Sequence, residues 1–431
     1  MRAWASALLL TLVAVSASAG EFFTLKGHGG PIMGVASNGT QIATASFDNS
    51  VGIWSGARPE WLEGHQAAVN AVAFVGKELA VSAGDDFALI LWDLSTGIGT
   101  RLDGHRGKVK SLAVSPDKGL IASASWDGSI GLWPVYGGEP IFLLGHTAGV
   151  SDVVFSEDGA RLYSASLDGT IRVWDIETSK ELEHLVKHGF GVNSLVRDPA
   201  NQWLAYGAVD GATRILALES GDAIADFTLE RRPILAMATD SDGHVLAVGD
   251  GQGFIMVIDT KGWRIIHDFR ATLGGPIWAL EFSADDENIL AGGLDDAMYS
   301  WPLATLDAFA PMPTEDRSFL EDPSALSNGE RQFKRKCSIC HSLTESSARK
   351  AGPTLYGVFG RRAGTVADYK YSSTLDGSDI FWSALTIDGL FDQGPDHFIP
   401  GTKMPMQRIA SAQDRLDLIE YLQRETAQRE N

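Results

Sequence analysis

Short apolar stretches alternate with polar turns through the first three hundred residues. Val109 to Val114 alternates apolar and polar positions, Ser115-Pro-Asp-Lys-Gly119 makes a turn, and Leu120 to Ala124 is an apolar run. Trp126-Asp-Gly128 then turns into Ser129 to Trp133. The same order of strands and turns recurs along the chain. Gly-His pairs mark it at Gly27-His28, Gly64-His65, Gly104-His105 and Gly145-His146, with Lys187-His188 as a weaker copy. Each of the four is followed by an Asp and, six residues later, by a Trp ending an apolar strand: Asp48/Trp54, Asp86/Trp92, Asp127/Trp133 and Asp168/Trp174. Asp210/Leu216 and Asp295/Trp301 continue the series, with Val257 to Asp259 in the remaining place. Strand ends at 54, 92, 133, 174, 216, 258 and 301 lie 38 to 43 residues apart, which predicts seven units. Glu21 to Lys26 is a strand without a unit of its own, and the seventh unit lacks its outermost strand. Together they predict a ring closed by the N-terminal strand, with no open sheet edge.

These marks resemble WD40 repeats, over residues 21–303. Trp92-Asp93 and Trp174-Asp175 keep the family dipeptide, whereas Trp54-Ser55, Trp133-Pro134 and Trp301-Pro302 do not. The resemblance implies an all-β, seven-bladed propeller. It also implies that His28, His65, His105 and His146, with His188, are structural, each bonded in its blade to a Ser or Thr, the turn Asp and the strand Trp. Histidines in step with those partners fit that role better than a metal site. No catalytic constellation is visible in this region.

Composition changes the picture at the start of the chain. Arg2, the apolar stretch Ala7 to Val15 and Ala17-Ser18-Ala19 read as a cleavable export signal over residues 1–19. No later stretch is apolar enough to span a membrane, so a soluble periplasmic protein is expected. Residues 20–313 carry 38 acidic and 19 basic side chains, and residues 314–431 carry 17 and 15. The formal net charge of -20 therefore belongs almost wholly to the repeats and argues against nucleic acid as a partner.

After Trp301 the texture changes. Residues 310–326 read as a linker, and Ser327-Asn328 is placed to cap a helix that runs to Lys336. It delivers the only two cysteines, in Cys337-Ser-Ile-Cys340-His341. A lone pair in an exported protein permits a disulfide or thiol redox chemistry, but the following histidine makes this the haem-attachment pattern. Two thiols three positions apart on a helical turn can add to the two haem vinyl groups, with His341 beneath the iron. Further pieces follow: Gly352 to Gly364, Tyr369-Lys-Tyr371, Trp382, Pro400-Gly-Thr-Lys-Met404 and Asp417 to Leu422. In this order they resemble the mitochondrial-type class I cytochromes c, an all-α fold, over Gly329 to Thr426.

That resemblance implies one covalent haem c, thioether-bonded to Cys337 and Cys340, with His341 and Met404 as axial ligands. Met406 is the rival ligand, outside the motif. Arg361, Tyr371, Trp382 and Thr402 align with the groups that hold the haem propionates, and Pro353 with the carbonyl that orients the histidine. Gly329 and Phe333 are expected to meet Leu418 and Tyr421 where first and last helices cross. Phe391 stands where the family usually has a tyrosine near the methionine sulfur. Lys334, Arg335, Lys336, Arg361, Arg362 and Lys403 offer a basic face, either to redox partners or to the acidic repeats. The expected layout is signal 1–19, propeller 20–309, linker 310–326 and cytochrome c domain 327–431. The expected function is single-electron transfer between partner proteins of unknown identity, with the propeller as docking platform. The alternative is a redox enzyme whose propeller binds a substrate or second cofactor.

Overall fold

The computed structural model describes residues 20–228, 233–272, 275–308, 326–372, 374–376, 378–405 and 407–427. Residues 1–19, read as a signal, and residue 406 lie outside this set, as do 309–325.

The repeats build seven four-stranded antiparallel sheets arranged as the blades of a propeller. Blades 1 to 6 cover residues 32–63, 69–102, 109–144, 150–187, 192–226 and 234–270. Blade 7 consists of Ile277–Phe282, Asn288–Gly293 and Ala297–Pro302, completed by the N-terminal strand Phe23–Lys26. Phe23 lies opposite Ser300 and Lys26 opposite Ala297, the ring closure expected from the repeat count. Asn288 extends this clasp, accepting from the Gly20 N–H at 3.2 Å and donating to the Glu21 carbonyl at 2.9 Å.

One repeating feature escapes the Gly-His and Trp marks. In every blade the innermost strand opens with a β-branched residue: Ile32, Val69, Val109, Val150, Val192, Ile234 or Ile277. None is more than 2% exposed. In each case the pairing with the next strand then shifts by one residue, a bulge that bends the blade. This anchor persists in blades 5 to 7, where the polar marks fade.

Blades 1 to 4 add a buried polar tetrad. In blade 3, His105 Nδ1 lies 3.0 Å from Asp127 and Nε2 lies 2.7 Å from Ser123 Oγ, which also accepts from Trp133 Nε1 at 2.8 Å. The same set joins His28, Asp48, Thr44 and Trp54, and its counterparts around His65 and His146. Both ring nitrogens are occupied each time. Burial opposes ionisation of Asp127, but donation from Ser129, the Arg106 N–H and the nearby His105 outweigh it and hold its carboxyl down at about 2. Blade 5 departs: His188 turns Nε2 toward Asp210 at 3.1 Å, and Tyr206 stands where blades 1 to 4 have Ser or Thr. In blade 7 the Tyr299 hydroxyl donates to Asp295 at 2.8 Å with no histidine involved.

Neighbouring blades are stitched along their inner strands. Asp152 of blade 4 accepts from Ser111 Oγ of blade 3 at 2.5 Å and from the Leu195 N–H of blade 5 at 2.8 Å.

The C-terminal region is helical. Helix α1 (Asn328–Lys336) starts at Ser327, whose side chain accepts from the Glu330 N–H, and α2 (Ala384–Gln393) starts at a Ser383/Thr386 capping box. After α3 (Pro395–Phe398), the long α4 (Ala412–Glu425) is capped by Ser411. Helices α1 and α4 cross at Gly329, where a Cβ would stand 2.0 Å from the Asp417 carbonyl oxygen. Phe333 and Tyr421 pack beside this crossing with ring centroids 5.6 Å apart, and Leu418 is fully buried. Only glycine lets the helices come so close.

Candidate haem site

Helix α1 ends at Cys337, and one more helical turn carries the chain to the histidine: the Cys340 and His341 N–H groups both donate to the Cys337 carbonyl, at 3.0 and 2.8 Å. The turn sets both sulfurs and the imidazole on one cavity. His341 Nδ1 donates to the Pro353 carbonyl at 2.7 Å, which fixes the tautomer with the lone pair on Nε2. Among the described residues nothing bonds to that nitrogen. Gly352 backs the ring so closely that a Cβ would stand 2.4 Å from it.

The other side comes from the loop after α3. Gly401 takes a left-handed turn (φ 83°), and the Met404 N–H donates to Thr402 Oγ1 at 3.2 Å. Met404 lines the same cavity as His341, together with Cys337, Cys340, Arg361, Tyr371, Trp382 and Thr402. All eight residues singled out in the sequence thus meet around one space. Its remaining walls are chiefly apolar, among them Leu355, Val358, Leu390, Phe391 and Ile399. Phe391 brings no hydroxyl to this wall.

The donor set suits a c-type haem better than thiol redox chemistry. Burial pushes the Cys337 thiol up to about 12, and likewise Cys340 up to about 11, so neither is a thiolate at neutral pH. Burial also lowers the His341 pKa, against the Pro353 bond, keeping the ring neutral as a ligand must be. Arg361 donates to the Tyr356 and Thr354 carbonyls, both at 2.7 Å, which holds its guanidinium at the cavity wall.

Two features add to the residues singled out above. Tyr369 lines the cavity beside Tyr371, their rings 4.9 Å apart, and its hydroxyl donates to the Ala351 carbonyl at 2.7 Å. One flank of the cavity belongs to the propeller, through residues such as Asn49, Gln66, Ala68 and Asp85. The basic face expected from the sequence is dispersed. Arg361 faces carbonyls, Arg362 pairs with Asp379 and Lys334 with Glu330, while Lys336 and Lys403 line the cavity.

Fold and site together define a class: a covalent-haem domain joined to a WD40 propeller. The WD domain, G-beta repeat model matches residues 21–55, 59–93, 97–134 and 138–175, the units whose polar marks are complete. The Cytochrome c model matches residues 326–425. The helical domain is 39% identical over 112 residues to cytochrome c of Nigella damascena, covering 26% of this chain and 99% of that protein. It is 42% identical over 106 residues to cytochrome c of Gossypium barbadense, covering 24% and 94%. Cytochrome c of Theileria parva is 42% identical over 96 residues, covering 22% and 82%. Through this domain the chain belongs to the cytochrome c family. Its cofactor is accordingly covalently bound haem c.

Proposed function

We propose that this protein is an exported carrier of single electrons, with one haem held by Cys337 and Cys340 and ligated by His341 and Met404. The observation that carries the reading is the pairing, on one apolar cavity, of an imidazole with its Nδ1 occupied and its Nε2 open with a methionine thioether. When bound, haem supplies reversible one-electron chemistry at its iron, and a His/Met pair leaves no coordination position for a substrate. The chain's own part is to orient His341 through Pro353, to keep water from the iron with Leu355, Leu390 and Phe391, and to receive the propionates with Arg361, Tyr371, Trp382 and Thr402. The propeller serves as a platform for partner proteins, and residues 1–19 direct the chain to the periplasm.

Absorption spectroscopy of protein purified from an exporting host tests this directly. One low-spin c haem per chain is expected, with the far-red sulfur-to-iron band of methionine ligation. Met404→Ala is expected to abolish that band and lower the potential by on the order of 0.2 V, within the ~0.8 V that axial ligands command. A second chromophore would count against the carrier reading, and a far-red band that survives Met404→Ala would overturn Met404 as the ligand in favour of Met406.

A further inference from the structure

We propose that blades 1 and 2 form a lid over the haem pocket, latched by a seat for the Ala348–Arg349 loop, and that other proteins exchange electrons with the haem only when this seat is released. The inference rests on the carrier reading above.

Gly29 supplies the first observation. It follows His28 as Gln66, Arg106 and Thr147 follow their histidines, and all four backbone N–H groups donate to the Asp of their own tetrad. The tetrad therefore tolerates a side chain at this place. Nor does Gly29 occupy the left-handed region, so backbone freedom is not the reason for a glycine. Space is the reason. A Cβ on Gly29 would stand 2.4 Å from the Ala348 carbonyl oxygen and equally near the Arg349 backbone.

Arg349 supplies the second. Its guanidinium lies 4.1 Å from the centre of the Trp61 ring and donates to Glu63 Oε1 at 2.8 Å. Trp61 in turn packs edge-on against His28 and Trp54, so the seat is continuous with the blade 1 tetrad. Blade 3 has Phe142 at the same register, with the same contacts to His105 and Trp133. An aromatic here belongs to the blade; the arginine stacked on it belongs to the docking. The loop that presents Arg349 is held in shape. Ala348 and Arg349 are both left-handed (φ 50° and 54°), costly for residues with a Cβ. Ser347 fixes the loop's start by donating to Asp368 from its N–H at 2.9 Å and its hydroxyl at 2.7 Å.

The third observation is what the seat brings together. With Arg349 latched, Asn49, Gln66, Ala68 and Asp85 close one flank of the cavity that holds His341 and Met404. Lys336 and Lys403 line it with them, so haem-domain cations meet the acidic propeller where a partner's surface would otherwise approach. Arg349, a backbone touch at Gly29 and the charge of Lys403 near Asp86 hold the contact, an arrangement that can open.

The test uses the full-length, haem-loaded protein in stopped flow, with ascorbate as small donor and a reduced blue-copper protein as large donor. Small-angle scattering is recorded on the same samples. Gly29→Gln installs the residue that blade 2 already carries, and Arg349→Glu sets like charges against Glu63. With a docked fraction of ~90%, each variant raises the large-donor rate about tenfold, holds the ascorbate rate within about twofold, and enlarges the scattering radius. Unchanged large-donor rates with an intact haem spectrum overturn the lid alone. So does a wild-type radius that already matches the variants. Wild-type protein that carries no c haem overturns the carrier reading, and the lid with it.

Discussion

The propeller and the haem domain use buried histidines in opposite ways. His28, His65, His105 and His146 each have Nδ1 on an Asp and Nε2 on a Ser or Thr hydroxyl. His341 has Nδ1 on a backbone carbonyl and an Nε2 that no described residue takes. Every bonding direction is closed in the first set, so the ring acts as a cross-link between strands. One direction is left open in the second, so the ring is available as the ligand proposed above. The contrast shows that residue type and burial do not separate a structural histidine from a functional one. The second nitrogen does.

The largest effect expected from this contrast is on the haem. His341→Ala should eliminate the low-spin spectrum of the holoprotein while the propeller's melting temperature, followed by scanning calorimetry, stays within about 2 °C, because His341 bonds to no described residue of a blade. A propeller that melts far earlier in this variant would break the proposed separation of roles.

Next in size is His105→Ala. It leaves Asp127 and Ser123 in blade 3 short of a buried partner and is expected to cost about 2–3 kcal/mol by denaturant unfolding, with the haem spectrum unchanged. His188→Ala, where the tetrad is already incomplete, is expected to cost about 1 kcal/mol. Equal costs would mean that the apolar anchors, not the tetrads, hold the ring.

The smallest effect is on acid stability. Asp48, Asp86, Asp127 and Asp168 all sit below the ordinary 3.8, because hydrogen bonds outweigh the burial that alone would raise them. Burial holds His105 and His146 below the ordinary 6.5, despite their Asp partners. A depressed pKa in the folded state favours folding above the unfolded value, and that benefit is lost as pH falls toward the folded one. The propeller should therefore weaken gradually below about pH 6.5 through the histidines, and further between about pH 4 and 2 through the carboxylates. Tryptophan fluorescence against pH reads this, and Asp127→Asn should flatten the lower part of the curve. A curve flat from neutrality to pH 3 would remove the tetrads from the account.

Much of this was legible in the sequence, because repetition amplifies weak signals. Seven periods of about forty residues gave the blades, and the leftover strand at Glu21 to Lys26 gave the closure. The marks faded in blades 5 to 7 for a physical reason. Tyr206 and Leu216 replace hydroxyl and indole in blade 5, while the buried Val or Ile that opens each inner strand goes on holding the sheet. Isolated Val and Ile are too common in any β protein to be noticed as a mark. In the haem domain, the eight residues named from motif and resemblance converge on one cavity because each motif is short and sits on a capped helix or a tight turn. The seat was invisible for the converse reason. Glu63 and Arg349 are separated by 286 positions, and a glycine after Gly-His, an aromatic on an outer strand and an arginine in a loop carry no pattern. Of the six cations read as a basic face, Lys336 and Lys403 do meet the propeller flank, but Arg349, which makes the seat, was not among them.

The clasp of blade 7 has a consequence in time. Phe23–Lys26 is made early, yet its partner strand Ala297–Pro302 comes last in the ring, and Asn288 reaches back 267 positions to Glu21. The helical domain closes over a shorter span, with Asn328 bonded to Asp414 across 86 positions. Loop closure of the longer kind is slow, and until it happens two sheet edges stay open. The oldest strand of the chain is thus the last piece of the ring to be set, and a chain cut short before residue 297 has no way to finish its first act.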